Sequence, residues 1–238
     1  MGDSFQDLVG SEPWLSELQS AAPLVDRALE SLADSLSEDG ALSSEEKGVV
    51  VASIAATKGD LDGCRHWVES RCGDFAEWRM LAALLFLSRG SMPAKTLLTA
   101  TGNIEESEPR APTPAKPDPV EMEEYFRGVF GQLPVRVTLL QNHAPDALET
   151  YFLLRQGTLA GSSLDPMLAQ LVLVGVNAAD RQEDFTFEHG LGAVKEGASE
   201  AHLVEAGVCS MLYGGLASWT AAAAAITRVL SDSDNHTF

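Results

Sequence analysis

The sequence contains few basic residues relative to its acidic ones. Its 238 residues include 16 lysine and arginine residues against 35 aspartate and glutamate residues, which gives a formal net charge of −19 at pH 7. Nucleic acids and anionic lipid surfaces repel a chain with this charge. The composition therefore excludes nucleic acid as a partner, and we expect no membrane partner either.

The chain also lacks paired cysteines and long apolar runs. Its three cysteines, Cys64, Cys72 and Cys209, are odd in number and widely spaced, which does not fit a disulfide framework. The first twelve residues contain three acidic residues and no basic one, unlike a signal or transit peptide. Apolar runs such as residues 80–87 are too short to span a bilayer. We expect a cytoplasmic protein.

Strand-like alternation is scarce, and most of the chain has the apolar spacing of amphipathic helices. Ser43 followed by Glu46 predicts a helix start with a capping box. Asp165, directly before a proline, predicts a second helix start, and Asp74 and Ser199 are N-cap candidates for two more. We therefore predict an all-α fold of roughly ten to twelve helices.

Proline is concentrated between residues 103 and 120. This segment holds five prolines and three glutamates, and it has no apolar pattern. Proline at this density blocks helix formation and favours extended backbone. We therefore predict a Pro/Glu-rich linker over residues 103–120, between an N-terminal helical unit (1–102) and a C-terminal helical unit (121–238).

Features of the N-terminal unit recur in the C-terminal unit. Pro145 lies 122 residues after Pro23, and Gly215 lies 125 residues after Gly90, a difference that a three-residue insertion explains. Such self-similarity indicates a duplicated supersecondary unit. The expected architecture is two tandem helical units packed as a pseudo-symmetric pair, with a cleft between them.

The C-terminal unit carries four short motifs in order. Leu164-Asp165 precedes an apolar helix, His189 follows a polar segment, Gly197-Ala198-Ser199 comes eight residues later, and Tyr213-Gly214-Gly215 ends the series. This order resembles the carboxymuconolactone decarboxylase family, which shares its fold with the AhpD-like alkylhydroperoxidases. The resemblance covers about residues 146–230, and a weaker version covers about residues 23–100.

The resemblance implies several properties of the protein. It implies that the two tandem units are AhpD-like, with the N-terminal one degenerate. It also implies chemistry on a small-molecule substrate without a cofactor, and assembly into a homo-oligomer, either a trimer or a dimer.

The sequence departs from the alkylhydroperoxidase pattern C-x-x-C-x-x-x-H. Counting back from His189, the two cysteine positions hold Gln182 and Phe185, and Cys64 takes the place of the histidine in the N-terminal unit. A thiol peroxidase needs one thiolate to attack and a second thiol to resolve the product. An AhpD-like peroxidase with atypical cysteines is therefore the third and least supported function.

The C-terminal unit does retain acidic residues around His189, as in the decarboxylase branch. Histidine titrates near neutral pH, and a neighbouring carboxylate can orient its ring for proton transfer. We predict His189 as the general acid or base, oriented by Asp184 or Glu188. The substrate-binding candidates are Arg181, which would bind a substrate carboxylate, Phe185 and Glu183. The simpler alternative is a structural histidine that hydrogen-bonds to a nearby carboxylate.

Cys64 and His66 form a possible secondary site. They are two residues apart, so a helix would separate their side chains by about 200° and prevent a nucleophile–base pair. Cys64 is more often a small buried residue in such a position. We predict no metal site.

These residues favour a cofactor-independent, decarboxylase-like lyase, or a related proton-transfer enzyme, that acts on a small organic acid or lactone, for example in secondary metabolism. The alternative is a non-catalytic scaffold or ligand-binding protein that keeps the fold without the chemistry.

Overall fold

The computed structural model describes residues 5, 9, 13–70, 75–102, 115–160 and 163–235. Within these residues the chain forms thirteen α-helices, one π-helical turn and no strand. The prediction of an all-α fold is confirmed, with one helix more than the upper end of the predicted range. None of the described helices combines the length and the apolar character needed to cross a membrane.

Six of these helices precede the proline-rich segment, one begins at its last proline, and six follow it. The first six are α1 (Pro13–Ala21), α2 (Pro23–Ser37), α3 (Ser44–Lys58), α4 (Leu61–Ser70), α5 (Phe75–Arg89) and α6 (Ser91–Ala100). The other seven are α7 (Pro119–Phe130), α8 (Val135–His143), α9 (Pro145–Arg155), α10 (Pro166–Ala179), α11 (Glu183–Lys195), α12 (Glu200–Cys209) and α13 (Met211–Asn235). The π-helical turn, Gln156–Ala160, continues α9.

The helix starts agree with the capping residues in the sequence. Ser43 Oγ accepts a hydrogen bond from the Glu46 amide at 3.2 Å, while Glu46 Oε2 accepts the Ser43 amide at 2.7 Å, which is the predicted capping box. Asp165 accepts the Leu168 amide at 2.8 Å and caps α10. Ser199 is the N-cap of α12. The N-cap predicted at residue 74 lies outside the described residues.

Part of the predicted linker is helical. The Asp118 side chain accepts the Val120 amide at 2.7 Å, and Pro119 occupies the first position of α7. The last two residues of the predicted linker therefore belong to α7, because the final proline begins this helix. Residues 103–114 lie outside the described part of the chain.

Helix starts recur along the chain at a nearly constant spacing. The starts of α1, α2, α3 and α4 lie 122 residues before those of α8, α9, α10 and α11, and α12 starts 125 residues after α5. Gly90 has φ 80° and ψ −163°, and Gly215, which kinks α13, has φ 64° and ψ −163°. Both glycines adopt the left-handed φ that other residues avoid.

The corresponding helices α3 and α10 are the most deeply buried elements. Both are apolar around most of their circumference, which is typical of a helix in the centre of a protein. They approach each other closely at Gly175, where a Cβ atom would lie 2.6 Å from Cγ1 of Val50. The main core therefore includes residues from both halves of the chain.

A polar node also joins the two halves. Glu205 on α12 accepts the amides of Ala41 and Leu42, at 2.8 and 2.9 Å, just before α3 begins. Its Oε2 also lies 3.2 Å from the ammonium group of the buried Lys47. Lys47 donates two further hydrogen bonds, to the carbonyls of residues 35 and 38. The loop before α3 is thus held by a carboxylate from the other half.

Candidate functional site

His189 lies on α11 and is held by an amide from the neighbouring helix α10. Its Nδ1 is 2.9 Å from Oε1 of Gln170. An amide oxygen only accepts, so this contact places a proton on Nδ1 and leaves the lone pair on Nε2. Gly192, one turn further along α11, makes the room for this contact, because a Cβ there would lie 2.7 Å from Cδ of Gln170.

Three arginines lie near enough to His189 for their positive charges to act on the imidazole. Arg89 ends α5, Arg136 lies in the first turn of α8, and Arg155 ends α9. Burial is the largest cause that lowers the pKa of His189, and the charges of Arg155, Arg89 and Arg136 add to it; together they lower the pKa from 6.5 to about 3. The ring is therefore neutral at pH 7, which corrects the expectation of a histidine that titrates near neutral pH.

The three arginines differ in how their charges are balanced. Arg89 donates to Asp180 at 2.9 Å and to Asn177 at 2.8 Å. Arg136 donates through Nη2 to Glu188 at 2.8 Å, while its buried Nε has no hydrogen-bond partner among the described residues. Arg155 donates through Nε to a hydroxyl group, that of Tyr125, at 3.4 Å.

Aromatic rings form the wall beside two of these arginines. The guanidinium carbons of Arg136 and Arg155 lie 4.8 and 5.1 Å from the ring centre of Phe130, and that of Arg155 lies 5.8 Å from the ring centre of Tyr151. The rings belong to a small separate core in which α7, α8 and α9 pack together. These cation–π contacts hold both guanidinium groups beside the aromatic rings.

The carboxylates predicted to orient His189 bind arginines instead. Glu188 pairs with Arg136, as described above. Glu183 and Asp184 both accept hydrogen bonds from Arg228 on α13, each at 3.0 Å. The structure therefore corrects the expected histidine–carboxylate contact, because the ring hydrogen-bonds to an amide and the acidic side chains neutralise arginines.

The other two substrate-binding candidates lie at the surface. Arg181 is exposed in the turn between α10 and α11, where it has a left-handed φ of 58°. Phe185 is 43% exposed in the first turn of α11. The structure thus brings neither side chain into the cluster of arginines around the imidazole, and their predicted roles stay predictions.

Helix α4 contains the predicted secondary site. Because α4 and α11 start 122 residues apart, the counterpart of His189 is Trp67 and that of Cys64 is Thr186, so the pairing of Cys64 with His189 is corrected. Cys64 is fully buried, and burial, followed by the charge of Asp60, raises the pKa of its thiol to about 12. Such a thiol stays protonated and is not a nucleophile at neutral pH.

His66 contacts an aromatic ring on its own helix. Its ring meets Trp67 edge-on at 6.0 Å between ring centres. In the part of the chain that the structure describes, no three histidine, cysteine or acidic side chains form a group that could hold a metal ion.

Two surface clefts of about 300 Å³ each occur away from the imidazole. The first is lined by Phe187, Thr227, Arg228, Ser231 and Asp232. The second lies at the polar node and includes Lys47 and Glu205. Neither is lined by His189.

Sequence patterns missed Gln170, Arg136 and Arg155. Gln170 looks like an ordinary polar residue within an apolar helix, and Arg136 precedes its partner Glu188 by 52 residues. Arg155 did carry a local signal, because it directly follows an apolar stretch, residues 151–154, in a helix. A charged residue at the end of such a stretch is a candidate for burial.

No protein-family model matches this sequence, and no curated protein matches it. A crystal structure of a provisionally named carboxymuconolactone decarboxylase from Burkholderia xenovorans LB400 is similar to part of the chain. The two proteins are 21% identical, the match covers 49% of this chain and 91% of the other, and the TM-score is 0.45. The similarity therefore extends over about half of this chain.

Proposed function

We propose that the protein binds a small organic acid or lactone and transfers a proton to it through His189. The observation that carries this proposal is the uneven bonding of the imidazole. Nδ1 is held by Gln170 at 2.9 Å, while Nε2 has no hydrogen-bond partner among the described residues. A ring fixed through one nitrogen, with the other free, is the arrangement that a general acid or base requires.

The surrounding charge links proton uptake to ligand binding. In the free protein burial, and after it the charges of three guanidinium groups, disfavour the imidazolium form of His189. A ligand carboxylate in the same cluster offsets that charge, which raises the pKa of the imidazole. We propose that the ring takes up a proton together with an anionic ligand and holds it on Nε2.

We propose decarboxylation as the reaction class, in line with the sequence motifs that resemble the decarboxylase family. Loss of CO2 from an activated organic acid leaves an electron pair on carbon, as an enolate. The imidazolium gives its Nε2 proton to that carbon, and His189 is reprotonated from water. Each turnover thus consumes one proton and releases one CO2, and the scheme needs no cofactor.

The second candidate function is that of a non-catalytic ligand-binding or scaffold protein. The pKa of about 3 favours it, because a nitrogen with that pKa is a weak base near neutral pH. The two surface clefts, which His189 does not line, favour it as well.

Turnover assays with a histidine variant separate the two functions. A panel of small keto acids and lactone acids is incubated with the wild type, with His189→Gln and with His143→Gln, an exposed histidine at the end of α8. We expect CO2 release from the wild type and His143→Gln but not from His189→Gln, with similar melting temperatures. Full turnover by His189→Gln would refute the proton-transfer role, and binding without CO2 release by the wild type would establish the second function.

We also infer that the two halves are copies of one helical unit and that the chain assembles as a homo-oligomer, a trimer or a dimer. The spacing of 122 residues between helix starts and the matching backbone of Gly90 and Gly215 support the first inference. Sedimentation equilibrium tests the second, and a monomer at micromolar concentration contradicts it.

A further inference from the structure

We infer that Arg155 is the subsite that binds the carboxylate of the ligand, a role that sequence patterns assigned to Arg181. This inference deepens the proposed function and rests on it. Arg155 is only 8% exposed, and its partners among the described residues are a tyrosine hydroxyl and two aromatic rings. No acidic side chain of the described chain neutralises it.

Arg155 differs from the other buried cationic side chain, Lys47, in the partners that balance its charge. Among the described residues, Lys47 and Arg155 are the two cationic side chains that are buried. Lys47 has a carboxylate at 3.2 Å and two carbonyl oxygens at 2.8 and 3.0 Å. Removing a charge from water costs free energy unless a counter-charge and hydrogen bonds replace the water. Among the described residues, Arg155 has no carboxylate partner and one hydrogen bond, at 3.4 Å. This indicates that an anion from outside the chain completes the site.

The aromatic contacts of Arg155 leave its hydrogen-bond donors available. The guanidinium carbon of Arg155 lies over the rings of Phe130 and Tyr151, at 5.1 and 5.8 Å from the ring centres, and these ring contacts are not hydrogen bonds to a carboxylate or carbonyl oxygen. One of the five N–H groups, on Nε, is directed at Tyr125. The remaining N–H groups, on the two terminal nitrogens, match the two oxygens of a carboxylate in the bidentate geometry that arginine favours.

Neighbouring groups are arranged around the same point. The guanidinium of Arg136 lies against the same Phe130 ring and keeps a buried Nε without a partner among the described residues. The charge of Arg155 acts on His189. The π-helical turn begins directly after Arg155, and such turns in helices are frequent at functional sites. A carboxylate on Arg155 is therefore within electrostatic range of the proposed proton donor.

The subsite anchors and orients the ligand. A guanidinium stabilises the anionic form of a bound carboxylate, so the group that Arg155 holds is retained and the CO2 comes from a second acid group of the ligand. Arg155 is a binding residue in this scheme, and His189 keeps the proton-transfer role.

Binding of simple carboxylates tests the inference without knowledge of the substrate. Isothermal titration calorimetry with benzoate and acetate, on the full chain, is compared with the neutral amides benzamide and acetamide. We expect saturable binding of a carboxylate but not of its amide, and affinity at least tenfold weaker in Arg155→Met. Arg228→Met, which removes an exposed arginine that is paired with Glu183 and Asp184, should bind like the wild type.

Further measurements keep the inference testable. If Arg155→Met does not fold, Arg155→Lys keeps the charge without the planar fork and should also bind carboxylates more weakly. Wild-type affinity in the folded Arg155 variant, equal binding of amides, or tighter binding of inorganic phosphate would each overturn the inference. Carboxylate binding that depends on Arg155, without CO2 release from any acid, would refute the proposed lyase activity and would still support the carboxylate subsite.

Discussion

Glu205 provides a quantitative test of how the two halves are joined. Glu205→Ala removes the acceptor of the Ala41 and Leu42 amides and the counter-charge of Lys47, whose side chain is only 5% exposed. Breaking a buried ion pair by removing one partner costs about 3–5 kcal/mol. We take the lower end, about 3 kcal/mol, because the carboxylate is 25% exposed and Lys47 keeps two carbonyl partners. For a chain of this size the melting temperature should fall by about 6–12 °C.

Thermal and urea unfolding followed by circular dichroism measure this effect. Glu69→Ala is the matched control, because Glu69 is exposed on α4, and such surface changes stay within about 0.5 kcal/mol. A Glu205→Ala variant as stable as the control would refute the joining role of the carboxylate. We also expect one cooperative transition in the wild type, since residues of both halves share the node.

The same carboxylate makes stability depend on pH. Burial acts to raise the pKa of Glu205, but the amides of Ala41 and Leu42 and the charge of Lys47 outweigh it, so the pKa lies below its ordinary value of 4.5. The unfolded state therefore binds a proton more readily than the folded state. The stabilisation is present above pH 4.5 and is lost as the pH falls through the lower folded pKa. The stability difference between wild type and Glu205→Ala should shrink in that range.

Two further predictions concern packing and thiol chemistry. Gly175→Ala places a methyl group against Val50 and should destabilise the protein by about 1–3 kcal/mol. Gly128→Ala, at an open helical position, is the control and should stabilise the protein by up to about 1 kcal/mol. Equal denaturation midpoints of the two variants would contradict the close approach of α3 and α10. Cys64 and Cys209, both buried with pKa values raised to about 12, should react with a thiol reagent at neutral pH only after denaturant is added. Rapid labelling of either of these two residues in the native protein, located by peptide mass spectrometry, would contradict their burial.

Local signals in the sequence predicted the fold well. The side chains of Ser43 and Asp165 cap helices through backbone groups three residues away, so the information lies within one short segment. The glycine breaks at Gly90 and Gly215 are also local, because a left-handed backbone favours glycine at the position itself. The all-α prediction rests on features of this kind.

Long-range pairing could not be predicted in the same way. The partner of His189 is 19 residues away on another helix, and the partner of Glu188 is 52 residues away. An acidic residue near a histidine in sequence can equally bind an arginine, and here Glu188 binds the distant Arg136. The spacing between the two halves is also hard to locate from sequence, since the three extra residues of α11 lie at its end, after His189, where no motif marks them.

The distance along the chain between Glu205 and the loop that it closes has a consequence for synthesis on the ribosome. Leu42 and Glu205 are 163 residues apart, so the amino-terminal half emerges long before the group that completes it. Until then the amides of Ala41 and Leu42 and the ammonium group of Lys47 lack the carboxylate that they bind in the folded protein. Co-translational folding of this node therefore ends late, because its carboxylate is supplied only after most of the chain has been synthesised.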